Sequence, residues 1–224
     1  MPHFDIVKQN SPRNTFRVSK IEADFDVKPE HSCERFVGDI EIPHKWNIGV
    51  IVGGSGTGKS TIARELFGEQ LIAGFDYSAS SVVDDMPKIN IDEITKMFYA
   101  VGFGSVPSWL KPYSVLSNGE KMRVDLARAL LEKDFVVFDE FTSVVDRQVA
   151  QTACLAISKA VRRAEKKFIA VSCHYDILDW LEPDWVFDTN KMQNFFGLAH
   201  ARKNNLKSES AMRESGQSLG VITI

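Results

Sequence analysis

Eight consecutive residues, Gly53-Gly54-Ser55-Gly56-Thr57-Gly58-Lys59-Ser60, restrict the fold of this chain more than any other stretch. Four glycines in eight positions let a backbone curl tightly and turn successive N–H groups toward one point, a geometry suited to phosphate oxygens. The run fits G-x-x-x-x-G-K-[ST], the P-loop or Walker A pattern. In it Lys59 brings a point charge to the β- and γ-phosphates, and the Ser60 hydroxyl can ligate Mg2+. Such a loop needs an apolar strand before it and a helix after it, whose positive end faces the anion. Both flanks are present: WNIGVIV precedes the loop and Thr61 opens TIARELF after it. A dinucleotide fingerprint, G-x-G-x-x-G, cannot be read from the same residues.

A second signal lies 80 residues on. FVVF (135–138) is wholly apolar and ends in Asp139-Glu140. Apolar runs of this length mark strands buried on both faces of a parallel sheet. A strand end fixed in this way can hold Asp139 near Mg2+, the Walker B role. Glu140 would then face the γ-phosphate and accept a proton from attacking water.

The third signal, Leu116-Ser117-Asn118-Gly119-Glu120, stands just upstream of that strand. L-S-x-G-[EQ], a helix, and an acidic strand end followed by Glu together resemble the ABC-type ATPases. Ser143-Val144-Val145-Asp146 looks like the D-loop of that family, and His174 like its switch histidine. The resemblance implies a RecA-like core with an N-terminal antiparallel β region and a short helical subdomain. It also implies ATP and Mg2+ as ligands. Ser117, Asn118, Gly119 and Glu120 would complete the nucleotide pocket of an opposite subunit, so two copies would clamp two ATP molecules head to tail. Asp146 would join the same interface. An aromatic ring upstream of the loop would stack on adenine; Phe25 fits best, with Phe16 and Phe36 as rivals.

The chain departs from the transporter branch of that family. No glutamine stands where the Q-loop is expected; SSVVDDMP (80–87) places Asp84 or Asp85 there, and either carboxylate could hold a metal-bound water. The separation of Lys59 from Ser117 is 58 residues, short for the helical subdomain that receives a membrane subunit. Glu120-Lys121 ends the signature as in SMC-like and DNA-repair ATPases, whereas VDLARALLEKD resembles the transporter consensus. TFRVSKIEADFDV, VLSNGEKMRVDLARAL and DEFTSVVDR together resemble stand-alone bacterial and phage-associated ABC ATPases. These are often fused to a GNAT-type acetyltransferase, for which this chain has no matching segment.

The remaining sequence fits an α/β domain with a mostly parallel sheet. IEIPHKWNIGVIV (40–52) reads as two strand runs joined by a turn around Pro43–Asn47, and residues 75–83 as a weak strand. Helices are expected over 91–103, 120–133 and 147–166, with a Pro/Ser-rich loop at 104–114. FIAVSC (168–173) and WVFDT (185–189) read as strands. The expected divisions are a lead-in (1–20), the ATPase domain (21–190) and a polar tail (191–224). Composition excludes collagen-like, coiled-coil and wholly disordered chains: 44% of residues are hydrophobic and 25% charged. No apolar run spans a bilayer, which points to a soluble cytoplasmic protein without direct membrane insertion. Residues 21–190 carry 18 basic and 27 acidic side chains, which argues against overall nucleic-acid attraction. Lys159, Arg162, Arg163, Lys166 and Lys167 form a helical stripe that reads as a solvated face, or as a phosphate-backbone contact. Cys33, Cys154 and Cys173 read as free thiols. The expectation is an ATP-driven dimeric switch acting on protein or nucleic acid; the alternative is the ATP-binding subunit of a transporter.

Overall fold

The computed structural model describes residues 2–10, 15–26 and 32–196. The chain divides into two compact units, Met1–Glu41 and Ile42–Ile224. The division lies well past residue 20, where a lead-in was expected to end.

In the first unit, β1 (His3–Asn10) and β2 (Ser32–Asp39) pair antiparallel, from His3 opposite Asp39 to Asn10 opposite Ser32. Helix α1 (Phe16–Phe25) lies between them in sequence; the Thr15 hydroxyl caps its start by accepting from the Val18 N–H. Asp5 and Arg35 form a two-bond ion pair across the strands, at 2.8 and 2.6 Å. The guanidinium holds the Asp5 carboxyl below its ordinary range.

The second unit is built on a five-stranded sheet in the order β4-β5-β3-β6-β7. Strands β3 (Ile48–Val52), β4 (Phe135–Phe138), β5 (Lys167–Ser172) and β6 (Trp185–Asp188) are parallel; β7 (Gln193–Phe196) is antiparallel to β6. Every residue of β3 is buried, which accounts for its unbroken apolar run. Successive residues point to opposite faces. Ile48, Val50 and Val52 join one core cluster with α3 (Ile91–Ala100), α5 (Asn118–Glu132), α6 (Arg147–Arg163) and α7 (Ile177–Leu181). The alternate residue Ile51 is equally buried but outside that cluster, on a strand against which α2 (Lys59–Phe67) packs.

The expected hairpin over 40–52 does not form. β2 ends at Asp39 and pairs with β1, whereas β3 is flanked by β5 and β6 and has no free edge for a hairpin partner. Residues 75–83 form no strand. Instead Tyr77 and Tyr113 stack with ring centres 3.9 Å apart. Their hydroxyls donate to the two oxygens of Asp125, at 2.7 and 2.8 Å. Arg128 lies over the rings of Phe75 and Tyr77, so this segment is pinned to α5. The expected loop at 104–114 contains a helical turn, α4 (Val106–Trp109), and leads into a 3-10 turn at Tyr113–Val115. Residues 193–196 join the sheet rather than a tail; residues 197–224 lie outside the described part of the chain.

The basic stripe is not one helical face. α6 ends at Arg163, and Glu165 takes a left-handed conformation at φ 54°. Arg162 pairs with Asp184, Lys166 donates to the carbonyls of Leu130 and Lys133, and Lys167 lies over the Trp46 ring. Three of the five cations are thus internal ties. The three cysteines are free thiols. Among the described residues, no helix is long and apolar enough to cross a membrane.

Candidate phosphate-binding site

Because β3, β4, β5 and β6 run parallel, their C-terminal ends share one edge of the sheet. This is where open α/β sheets bind ligands. β5 lies between β3 and β4, so the residues that follow it sit between the glycine loop and the acidic strand end.

The loop Gly53–Gly58 leaves β3 and enters α2 at Lys59. Gly56 and Gly58 have φ of 81° and 86°, in the left-handed region where a side chain is strained. Ser55 and Gly56 are exposed, while Lys59 is only 8% exposed. The Lys59 ammonium donates to the Gly54 carbonyl at 2.6 Å, and the Thr57 hydroxyl donates to the same oxygen at 2.9 Å. Thr61 follows in the first turn of α2, half-buried.

The structure brings Ser60 and Asp139 together: the serine hydroxyl donates to Oδ1 of the carboxylate at 3.1 Å. The Glu140 N–H donates to the same oxygen at 2.9 Å. A hydroxyl beside a carboxylate is a hard-oxygen pair suited to Mg2+. Glu140 is exposed and left-handed, with φ 52°; Thr142, buried, has φ 66°. Non-glycine residues persist in that region only where neighbours hold them, and such strain clusters at functional sites. The Ser143 hydroxyl holds the Glu140 carbonyl at 2.7 Å, and the Phe141 N–H bonds to Val171 of β5 at 2.9 Å.

His174 follows β5, half-buried, with its N–H donating to the Ser172 hydroxyl at 3.1 Å. Two residues on, Asp176 pairs with Arg147, the first residue of α6. Asp146 caps α6, accepting from the Gln148 and Val149 N–H groups at 3.0 Å each. The turn carrying His174 is therefore tied to the start of α6.

Ser117 caps α5, and Ser117 and Asn118 are exposed ahead of Gly119. Ser117 and Glu120 form a reciprocal capping box, with bonds of 3.3 and 3.0 Å. The Ser108 hydroxyl adds a bond to Glu120 at 2.8 Å. The Ser117 N–H and these hydroxyls hold the Glu120 carboxyl below its ordinary range. The spacing Ser-x-x-Glu before an apolar helix carries this capping signal in the sequence.

Asp84 and Asp85 are both engaged within their own turn. Asp85 accepts from the Ser78 and Ala79 N–H groups at 3.0 and 3.1 Å, and Asp84 from the Ser81 hydroxyl. Among the described residues, no group of three or more His, Cys, Asp and Glu side chains is arranged to hold a metal. Phe25, Phe16 and Phe36 all belong to the first unit, where Phe25 and Phe16 are exposed on α1.

Sequence reasoning missed Asp188, Thr189 and Asn190, which follow β6 at the same sheet edge. Asn190 Oδ1 accepts from the Gly54 N–H at 3.1 Å. The Thr189 and Thr57 hydroxyls are 2.6 Å apart. Tyr175, beside His174, donates to Asp188 Oδ1 at 3.1 Å and accepts from Asn190 Nδ2 at 2.9 Å. Burial and the bond to Asp188 raise the Tyr175 hydroxyl above its ordinary value, so it stays protonated as a donor. Their only sequence signal is position: they end a strand next to β3.

No protein-family model and no curated protein matches this chain. Solved structures do match its fold. A dimeric bacterial ABC transporter cassette, MJ0796, aligns with a TM-score of 0.54 over 69% of this chain and 87% of that one, at 13% identity. The same cassette in a post-hydrolysis state with ADP and phosphate gives 0.56 over 72% and 89%, again at 13%. A bacterial Atm1-family exporter with ATP bound gives 0.52 at 17% identity, over 85% of this chain and 39% of that one. The chain has the fold of the ABC ATPase cassettes: a parallel-rich α/β sheet with an antiparallel N-terminal pair.

Proposed function

We propose that this chain binds ATP and hydrolyses it to ADP and phosphate as a dimer of ABC type, and uses the cycle as a switch on a protein or nucleic-acid partner. The observation that supports this best is the Ser60–Asp139 bond, which joins the phosphate-binding loop to the acidic strand end and leaves Glu140 exposed beside them. In this reading the loop N–H groups and Lys59 cradle the phosphates. Water attacks the γ-phosphorus, its proton goes to Glu140, and the bond to the ADP oxygen breaks. Ser60 and Asp139, with Asp84 or Asp85 assigned as further support, would hold Mg2+. That ion, when bound, neutralises charge on the β- and γ-oxygens. His174 contacts the γ-phosphate. Ser117, Asn118, Gly119 and the start of α5 meet the γ-phosphate of the opposite subunit, where the positive end of the helix dipole favours an anion. Asp146 lies at the same interface.

The second reading, a transporter subunit working with a separate membrane protein, is favoured by the matching structures, a transporter cassette and an exporter. Against it stand the 58 residues between Lys59 and Ser117 and the absence of a glutamine at 80–87.

Phosphate release from Mg-ATP tests the proposal. Glu140→Gln should keep ATP binding, lower turnover by about 100-fold or more and trap a dimer. Wild-type turnover by that variant would remove Glu140 from the general-base role.

A further inference from the structure

Tyr175 occupies a position that the proposed reaction does not use. It follows His174, and its hydroxyl is the middle of a continuous chain of bonds to the phosphate-binding loop. It accepts from Asn190 Nδ2, and Asn190 Oδ1 accepts from the Gly54 N–H. The Gly54 carbonyl in turn holds the Lys59 ammonium and the Thr57 hydroxyl. The amide orientation of Asn190 is dictated chemically, because the reverse would set an NH2 group against the Gly54 N–H. Asp188, 3% exposed, fixes the turn by accepting from Tyr175 and from the Asn190 and Lys191 N–H groups with one oxygen. On its other side the His174 turn is held by Asp176 and Arg147.

We propose that Tyr175 and Asn190 are positioning residues that couple the His174 turn to the backbone on both sides of Gly54, so that contact at the γ-phosphate sets the direction of Lys59 and lets the chain distinguish ATP from ADP. The inference rests on the reading that the loop binds nucleotide and that His174 meets the γ-phosphate. A shift of the His174 turn moves the Tyr175 hydroxyl, which draws on the Asn190 amide and, through the Gly54 N–H and Cα, on the next peptide, whose carbonyl holds Lys59. The coupling is reciprocal: a loop already set by Asn190 favours the turn position that receives the γ-phosphate. ADP has no γ-phosphate and gains nothing from the link. A brace that merely kept the loop folded would serve both nucleotides equally.

The test is calorimetric affinity for ADP and for the non-hydrolysable analogue adenylyl imidodiphosphate. It uses the full chain and the variants Tyr175→Phe, Asn190→Ala and the double variant, with thermal unfolding measured alongside. The link predicts that each single variant loses about 5–10-fold in affinity for the triphosphate analogue, while ADP affinity stays within about twofold. It also predicts that the double variant is no worse than the singles, since both cut one chain of bonds. Equal losses for the two nucleotides, or losses that multiply in the double variant, would overturn the link and leave the ATP reading in place. If the wild-type chain binds neither nucleotide, both fall. Tyr175→Phe keeps the ring; should Asn190→Ala fail to fold, Tyr175→Phe alone still decides the ratio.

Discussion

The backbone of Gly54 carries three of the bonds that shape the glycine loop: its N–H meets Asn190, and its carbonyl, in the next peptide group, meets Lys59 and Thr57. Lys59 is buried against that carbonyl, so its charge is aimed by the backbone rather than by solvent. Removing it leaves the loop without its cation. Lys59→Ala should weaken ATP binding by about 10–100-fold, the scale of one lost charge-assisted bond, and calorimetry checks this; unchanged affinity would contradict the loop's role. At this scale the local motifs were legible, because Lys59, Ser60, Asp139 and Glu140 lie in short runs whose chemistry depends on spacing. Asn190 was not, since its partner Gly54 is 136 residues away and only the strand order brings them together.

The sheet and helices show where sequence pattern stops. A wholly apolar run marked β4 as a strand, and the apolar flank of the glycine loop marked β3, but pattern alone does not say which edge a strand offers. Thus 40–52 reads as a hairpin until β5 and β6 are seen to occupy both edges of β3. The run QNFF reads as the start of a polar tail until β6 gives it an open edge. The basic stripe assumes a helix that in fact stops at Arg163. Two predictions belong to this scale. A Cβ on Gly49 would lie 2.2 Å from the buried Trp185 ring. Gly49→Ala should therefore cost about 1–3 kcal/mol, the range for overpacking, read as a lower denaturant midpoint at unchanged slope. Ser117→Ala removes the cap of α5 and should cost about 1 kcal/mol. Because the folded Glu120 pKa is lowered, the stability it contributes is complete above its unfolded value of about 4.3. That contribution is lost as pH falls through the lowered folded value. The deficit of Ser117→Ala should accordingly shrink in acid; a constant deficit would separate Glu120 from the cap.

For the whole molecule, the parallel sheet gathers the glycine loop, Asp139, His174 and Asn190 at one edge, while the exposed Ser117 and Asn118 begin a separate helix. In the proposed dimer this second anion site serves another copy, so each pocket is completed by its partner. The α/β class and the order of the motifs were legible from the sequence. The division at Glu41 was not, because no shift in composition marks the end of β2, while residue 20 lies inside α1. The most direct test of the account is the specific rate of Mg-ATP hydrolysis as a function of protein concentration, with wild type and Glu140→Gln side by side. The wild-type specific rate should rise with concentration toward a plateau, and Glu140→Gln should give a flat, near-zero line. A wild-type rate per chain that is independent of dilution, matched by Glu140→Gln, would contradict it.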